Sequence, residues 1–384
     1  MKATSLIITK DYNHNRKYYV DNIRWACILF LIPFHVAMAW NCWGEGNYIW
    51  FAKNKIFSSI ITFVSPWYMS LLFVLAGMST FYSLQKRSYR QYIKERFMKL
   101  LLPLIAGLLT VVPLMTYYAD KFHSGYEGNF FEHYQVYFTK FTELTGYDGG
   151  WTPAHLWFLL YLFIISLIGI GIVYFQKRRL PKFSRDHFLS LKKELSKKQE
   201  IAFLYALGLL PIAFSPVINI AGKSIGSYLV FFLLGFYIFS KDDMIACVVK
   251  NRWINLGFLI IADVLDVYMF IWADNANSIV NLIAMYFTCW FGILTVLGFS
   301  RLHFNQHNKV TRYLTSRSFV FYIFHYIWVI LLQFYISDYT SKTVLLFLIP
   351  VVGAYIMTFL TIEIVVRMPI LNVLFGIKKK EIKK

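Results

Sequence analysis

The feature that most constrains this chain is its recurring apolar length. A helix needs about 20 mostly apolar residues to cross the hydrocarbon of a bilayer, and about ten stretches here approach that length. They fall at 23–43, 56–83, 100–118, 153–175, 201–219, 225–240, 253–273, 278–299, 319–337 and 344–366. Apolar types make up 58% of the 384 residues and charged types only 15%. Soluble domains carry roughly 25% charge, so a disordered chain is excluded and a soluble enzyme disfavoured. The expected fold is all-α: a single polytopic membrane domain over 1–384.

The formal charge of +19 first suggests nucleic acid, but the basic residues lie between the apolar runs. With the N-terminus in the cytoplasm, the opposite face receives only Lys53, Lys55, Lys121, Lys140, Lys223 and Lys342 of the 39 Lys and Arg. That bias is the positive-inside rule. Both termini are expected to be cytoplasmic, with membrane lipid and not nucleic acid answering the charge. Residues 176–200 form the longest basic cytoplasmic loop, and the Lys-rich end from Lys378 reads as a surface anchor. The first 22 residues are polar and basic, and the apolar run after them reads as a retained helix. Trp40, Trp43, Trp50, Trp151, Trp157 and Trp272 are expected at the outer interface, and Trp25 and Trp253 at the inner one. Cys27, Cys42, Cys247 and Cys289 have no CxxC spacing, so neither a disulfide framework nor a metal site is implied.

Ionisable groups inside spans are costly and usually face the bundle interior. Arg24 and His35 are eleven positions apart. At about 100° per residue they share a face, with His35 about 16 Å deeper, and the two are expected to border one passage. Pro33 cannot donate to the carbonyl of Leu29 and should kink the helix just below His35. A packing histidine and a base that takes a proton from a hydroxyl both fit that position. His155 opens the fourth span at the outer end, and His325 is expected two turns into the ninth. Asp263 and Asp266 share a helix face at i, i+3, which suits function or interhelical bonding. Glu363 and Arg367 read as a structural i, i+4 ion pair. Arg96 and Lys99 stand where the third span enters the membrane, a place that suits the phosphates of a soluble ligand. The acidic, aromatic outer loop 119–152 is a candidate sugar platform.

These residues in this order resemble membrane acyltransferase family 3, and within it a glucan-biosynthesis subgroup that succinylates periplasmic glucans. The first span, from Tyr19-Val-Asp-Asn-Ile-Arg24 to Ile32-Pro-Phe-His35, carries the family's Arg-x10-His pattern. Leu72 to Gly77 is similar to its second-helix motif, with Ala76 in place of serine. Arg96 to Pro103 is similar to its Arg-x-x-Arg element, with Lys99 in place of the second arginine. His155-Leu-Trp157-Phe-Leu159 resembles the subgroup's fourth-helix motif, and Ser318 to His325 the penultimate one. Glu363, Arg367 and Pro369 match the closing helix.

The resemblance implies an acyl-CoA co-substrate, acetyl-CoA or succinyl-CoA, and no tightly bound cofactor. It also implies a hydroxyl of an extracytoplasmic glycan as acceptor and a multi-pass place in a bacterial plasma (inner) membrane. His35 is then the catalytic base, while Arg24, Arg96 and Lys99 hold the donor. His155, Trp157, His325, Asp263 and Asp266 lie on the acceptor side or in support. A glycan or lipid-linked-sugar transporter without acyl transfer is the alternative.

Overall fold

A computed structural model describes residues 16–44, 47–144, 147, 150–179, 197–273 and 275–377. Most of the basic loop 176–200 and the end from Lys378 lie outside the described residues. Among the described residues the secondary structure is helical apart from one hairpin, β1 (Asn219–Ile220) with β2 (Lys223–Ser224). In order the helices are α1 (Tyr18–Met38), α2 (Lys55–Leu84), α3 (Tyr89–Arg96), α4 (Leu102–Ser124) and α5 (Phe130–Thr139). There follow α6 (Trp157–Arg179), α7 (Lys197–Ala206), α8 (Leu209–Ala213), α9 (Ile225–Leu234) and α10 (Asp242–Lys250). The last are α11 (Arg252–Val267), α12 (Ile279–His303), α13 (Lys309–Ser337), α14 (Thr343–Arg367) and α15 (Pro369–Leu374). Phe97–Leu101, Gly235–Phe239 and Tyr268–Trp272 are π turns that continue α3, α9 and α11.

Among the described residues eight helices are long and apolar enough to cross a membrane. The two stretches expected at 201–219 and 225–240 are shorter, at Gln199–Ala213 and Ile225–Phe239. Leu207 and Gly208 separate α7 from α8. Gly208 packs against the Trp290 indole, where a Cβ would lie 2.7 Å from the ring. Pro211 just beyond supplies no N–H, and the chain turns into the hairpin. The ninth span starts at Lys309 rather than 319, because Asn308 and Thr311 form a capping box. His325 is therefore 16 residues into its helix, about 24 Å from the start, and not two turns in.

Contacts collect the basic ends of the helices on one face. Lys17 pairs with Asp242 at 2.5 Å, and Asn22 Nδ2 donates to the carbonyls of Phe304 and Gln306. Tyr82 donates to the Ser240 carbonyl, and the Arg301 guanidinium lies over the Tyr19 ring. The far face is tied by Tyr118 with Tyr335 and by Trp272 Nε1, which donates to Ser59 Oγ. Trp40 and Trp157 are buried in the bundle rather than set at a lipid interface, whereas Trp253 and Trp272 are exposed. The first two are taken up by aromatic partners: Trp40 by Phe57 and Trp157 by Tyr161 and Tyr228.

Pro33 lies inside a helix that is continuous from Tyr18 to Met38. The Leu29 carbonyl has lost its i+4 donor and accepts instead from Tyr355 Oη of α14 at 2.8 Å. In hydrocarbon a freed carbonyl needs such a partner, because water is not there to supply one. The tightest helix contact joins α2 to α9. A Cβ on Gly77 would stand 1.9 Å from the Phe232 carbonyl oxygen, and one on Gly235 would stand 2.1 Å from that of Val74. Small residues let membrane helices approach this closely.

Gly77→Val and Gly235→Val should therefore lower the melting temperature of the detergent-solubilised protein. Overpacking a tight site costs about 1–3 kcal/mol or more. Gly171→Ala, with nothing within 4 Å of the added atom, should leave the temperature unchanged.

Candidate active site

Three helices bring three imidazoles together near the far end of the bundle. His35 lies one turn before the end of α1, His155 in the turn Ala154–Leu156 that leads into α6, and His325 in the middle of α13. The ring centroids of His35 and His325 are 5.3 Å apart, and those of His155 and His325 are 5.4 Å apart. Tyr326 sits among them. It stacks on His35 at 4.0 Å and meets His155 edge-on at 5.6 Å.

Backbone carbonyls of α13 fix two of the three tautomers. A carbonyl only accepts, so His325 Nδ1–H donates to the Tyr322 carbonyl at 2.7 Å, and His155 Nε2–H donates to that of Ile323 at 3.0 Å. The nitrogens left over, His325 Nε2 and His155 Nδ1, are buried without a partner. In neutral rings these are the lone-pair nitrogens. Tyr322 Oη donates in turn to the His155 carbonyl, so α13 and the turn before α6 hold each other. His35 differs from the other two, being only half-buried and held by ring contacts with Phe34, His325 and Tyr326. It is the most exposed imidazole of the three.

A hydrogen-bond chain joins the cluster to the far face. Tyr326 Oη donates to Asn47 Oδ1 at 2.6 Å, and His123 Nε2 to the Asn47 carbonyl at 2.7 Å. The His123 ring packs on Tyr147 of the outer loop at 4.7 Å. Gln333 Nε2 donates to the Val36 carbonyl just after His35. Within the loop expected at 119–152, α5 forms behind a capping box of Asn129 and Glu132.

Arg24 donates to Ser79 Oγ at 2.7 Å and pairs with Asp21 at 3.1 Å. The next residue of α2, Thr80, hydrogen-bonds Tyr92 Oη at 2.8 Å, and the Arg96 guanidinium lies over the Tyr92 ring at 4.6 Å. Ser79 thus holds Arg24 directly, whereas Thr80 reaches Arg96 only through the Tyr92 ring. Lys99 lies in the π turn that follows. The passage expected between Arg24 and His35 is filled on that helix face. Ile28 and Leu31 lie between them and are buried, because apolar side chains at i+4 and i+7 pack into the bundle. A narrow seam, too tight to hold a water molecule, lies beside this face, between α1, α13 and α14. Trp25, Leu29, Leu314, Ser318, Phe321 and Phe359 line it, with Arg317 alongside. Phe321 stacks in parallel with His325 at 6.1 Å.

The other expected residues lie elsewhere. Trp157 packs with Tyr161 and Tyr228 beneath the Lys223 ammonium. Asp263 and Asp266 are buried on α11. Glu363 has closer partners than Arg367, which is exposed and 3.7 Å away. It accepts from Tyr313 Oη at 2.9 Å and from Arg317 Nε at 3.4 Å. Tyr322 belongs to the Ser318–His325 motif, whereas Tyr326, Asn47 and Arg317 fall outside the sequence-predicted site. The i, i+1 step from His325 and the i+4 step from Tyr322 are the local signal for Tyr326, whereas the partners of Asn47 and Arg317 come from other elements.

Residues 17–363 match the family described as an acyltransferase domain. The chain is similar to glucans biosynthesis protein C of Salmonella heidelberg (strain SL476), Salmonella typhi and Salmonella typhimurium. Each is 26% identical over 394 residues, covering 94% of this chain and 94% of the relative. No solved structure matches.

Tyr326→Phe should keep the ring on His35 but leave Asn47 Oδ1 without its buried donor. Such an orphaned acceptor costs about 1–3 kcal/mol, readable as a lowered melting temperature with helix content unchanged.

Proposed function

The chain belongs to the acyltransferase domain family, and from that premise we propose that this multi-pass membrane acyltransferase moves an acyl group from cytoplasmic acyl-CoA to a glycan hydroxyl across the membrane. The observation that carries the reading is the half-buried His35 among His325, His155 and Tyr326. His35 takes the proton of the acceptor hydroxyl. The hydroxyl oxygen bonds to the thioester carbonyl carbon, the carbon–sulfur bond breaks, and the CoA thiolate leaves and is protonated. His325 and His155 keep their lone-pair nitrogens turned away from the carbonyls that fix them. Each is placed to share or steady the proton that His35 picks up. Positioned general-base help of this kind contributes roughly 10²–10⁴-fold.

The basic face is the donor side in this reading. Arg24 and Arg96, at the basic ends of α1 and α3, bind the CoA phosphates, with Lys99 adding charge but not the bidentate geometry of an arginine. Side chains along α1 must move aside for the donor's arm to reach the histidines, since Ile28 and Leu31 occupy the direct line and the seam beside Leu29 and Phe321 is closed to a water molecule. The acceptor arrives from the far face past Asn47 and His123. Support for a glycan acceptor comes from the similarity to the Salmonella glucans biosynthesis protein C. The acyl group is acetyl or succinyl.

Membrane vesicles supplied with acyl-CoA and glucan test this. His35→Ala protein that inserts normally should transfer acyl groups about 10²–10⁴-fold more slowly, and wild-type turnover in that variant overturns the assignment. Arg24→Gln and Arg96→Gln should raise KM for acyl-CoA with a smaller effect on kcat. A lost charge-assisted hydrogen bond is worth about 1.5–3 kcal/mol, or roughly 10–150-fold.

A further inference from the structure

A second set of polar groups crosses the bundle away from the histidines, on the seam between α11 and α12. The two helices are antiparallel, and three contacts fix their register. Trp253 meets Phe299 at 4.9 Å, Phe258 meets Phe291 at 4.9 Å, and a Cβ on Gly298 would lie 3.1 Å from that of Arg252. Continued at 1.5 Å per residue, this register sets Asn255 level with Thr295, Asp263 with Thr288, and Asp266 with Ala284. Asn281 lies one turn nearer the far face.

All of these polar side chains are buried. Asp263 is 1% exposed, Asp266 2% and Thr288 0%. Asp263 Oδ1, Asp266 Oδ2, Thr288 Oγ1, Thr295 Oγ1 and Asn281 Oδ1 have no hydrogen-bond partner, nor has Thr62 Oγ1 on α2, which packs against both helices. Among the described residues no ion pair reaches either aspartate. The nearest ionisable groups on the packed elements are Tyr286 and Cys289 on α12, Tyr268 in the π turn, and Lys55 and Tyr68 on α2. Lys55 is taken up over the Trp272 ring at the far face, and Tyr68 donates to the Cys27 carbonyl. At the basic end α10 adds Lys250, a helix length away.

Neither carboxyl thus receives a hydrogen bond from the protein at Asp263 Oδ1 or Asp266 Oδ2. Two buried carboxyls without countercharge are expensive in hydrocarbon, by several kcal/mol each. A small positive charge at Asp263 and Asp266 answers that cost, and the register sets a third unpaired oxygen, the fully buried Thr288 hydroxyl, level with Asp263. The π turn at Tyr268–Trp272 begins two residues after Asp266, and turns of this kind are common at functional sites. We propose that Asp263 and Asp266, with Thr288 level with Asp263, form an intramembrane binding site for a small monovalent cation, a proton or Na⁺. The site is independent of acyl transfer and separate from the histidine cluster.

Carbodiimide labelling of the wild-type protein tests this without any substitution, because the reagent couples to protonated carboxyls in apolar surroundings. Detergent-solubilised protein is treated with dicyclohexylcarbodiimide, and the modified peptides are read by mass spectrometry. Label should appear on Asp263 or Asp266. If the site holds a proton, the rate rises as pH falls from 9 to 6 and is indifferent to Na⁺. If it holds Na⁺, adding NaCl at fixed pH and ionic strength slows labelling several-fold, whereas choline chloride does not. Asp263→Asn and Asp266→Asn should each remove the label at their own position, and Thr288→Val should change the response to pH or Na⁺. Absence of label at both aspartates, or a rate that responds to neither pH nor Na⁺, overturns the proposal.

Discussion

Inside hydrocarbon no water competes for a hydrogen bond, so every polar atom in this bundle must find its partner within the protein. That constraint explains why α13 is central. Its carbonyls at Tyr322 and Ile323 receive the N–H groups of His325 and His155, its Gln333 amide reaches the carbonyl of Val36, and its Tyr326 ring supports His35. One helix thereby sets the tautomers of two histidines and the seat of the third. In water such bonds would be worth little net, since solvent replaces them when they break. Away from water, losing one leaves a buried group unpaired.

The same constraint separates two kinds of polar residue. Pro33 leaves the Leu29 carbonyl free, and Tyr355 takes it, so the proline costs the fold no orphaned group. The histidine nitrogens and the oxygens of the α11–α12 seam are left without protein partners. Buried polar groups are nearly always satisfied, and these exceptions are what the proposed acyltransferase and cation sites rest on. The two proposals share this logic and no residues.

Much of the architecture was legible beforehand, since apolar length and the placement of basic residues are one-dimensional properties. The start of α6 and the lengths of α2, α12 and α14 follow from hydropathy to within a few residues. The start of α13 did not, because a capping box extends it into a polar stretch that hydropathy excludes. The stretch at 201–219 is apolar enough but is broken by Gly208 and Pro211. The shared face of Arg24 and His35 was readable from helical period, but that Ile28 and Leu31 fill it was not.

The sequence by itself determined that this chain is a helical membrane protein, which segments are apolar enough to span, and that His35, His155 and His325 are unusual inside them. Helical period and the scarcity of ionisable groups in lipid are enough for that. Only the tertiary structure decided that the three imidazoles meet around Tyr326, that Ser79 takes the Arg24 guanidinium, and that Asp263 comes level with Thr288. Those pairings join residues up to 291 positions apart in the chain, and no local pattern encodes which helix faces pack together.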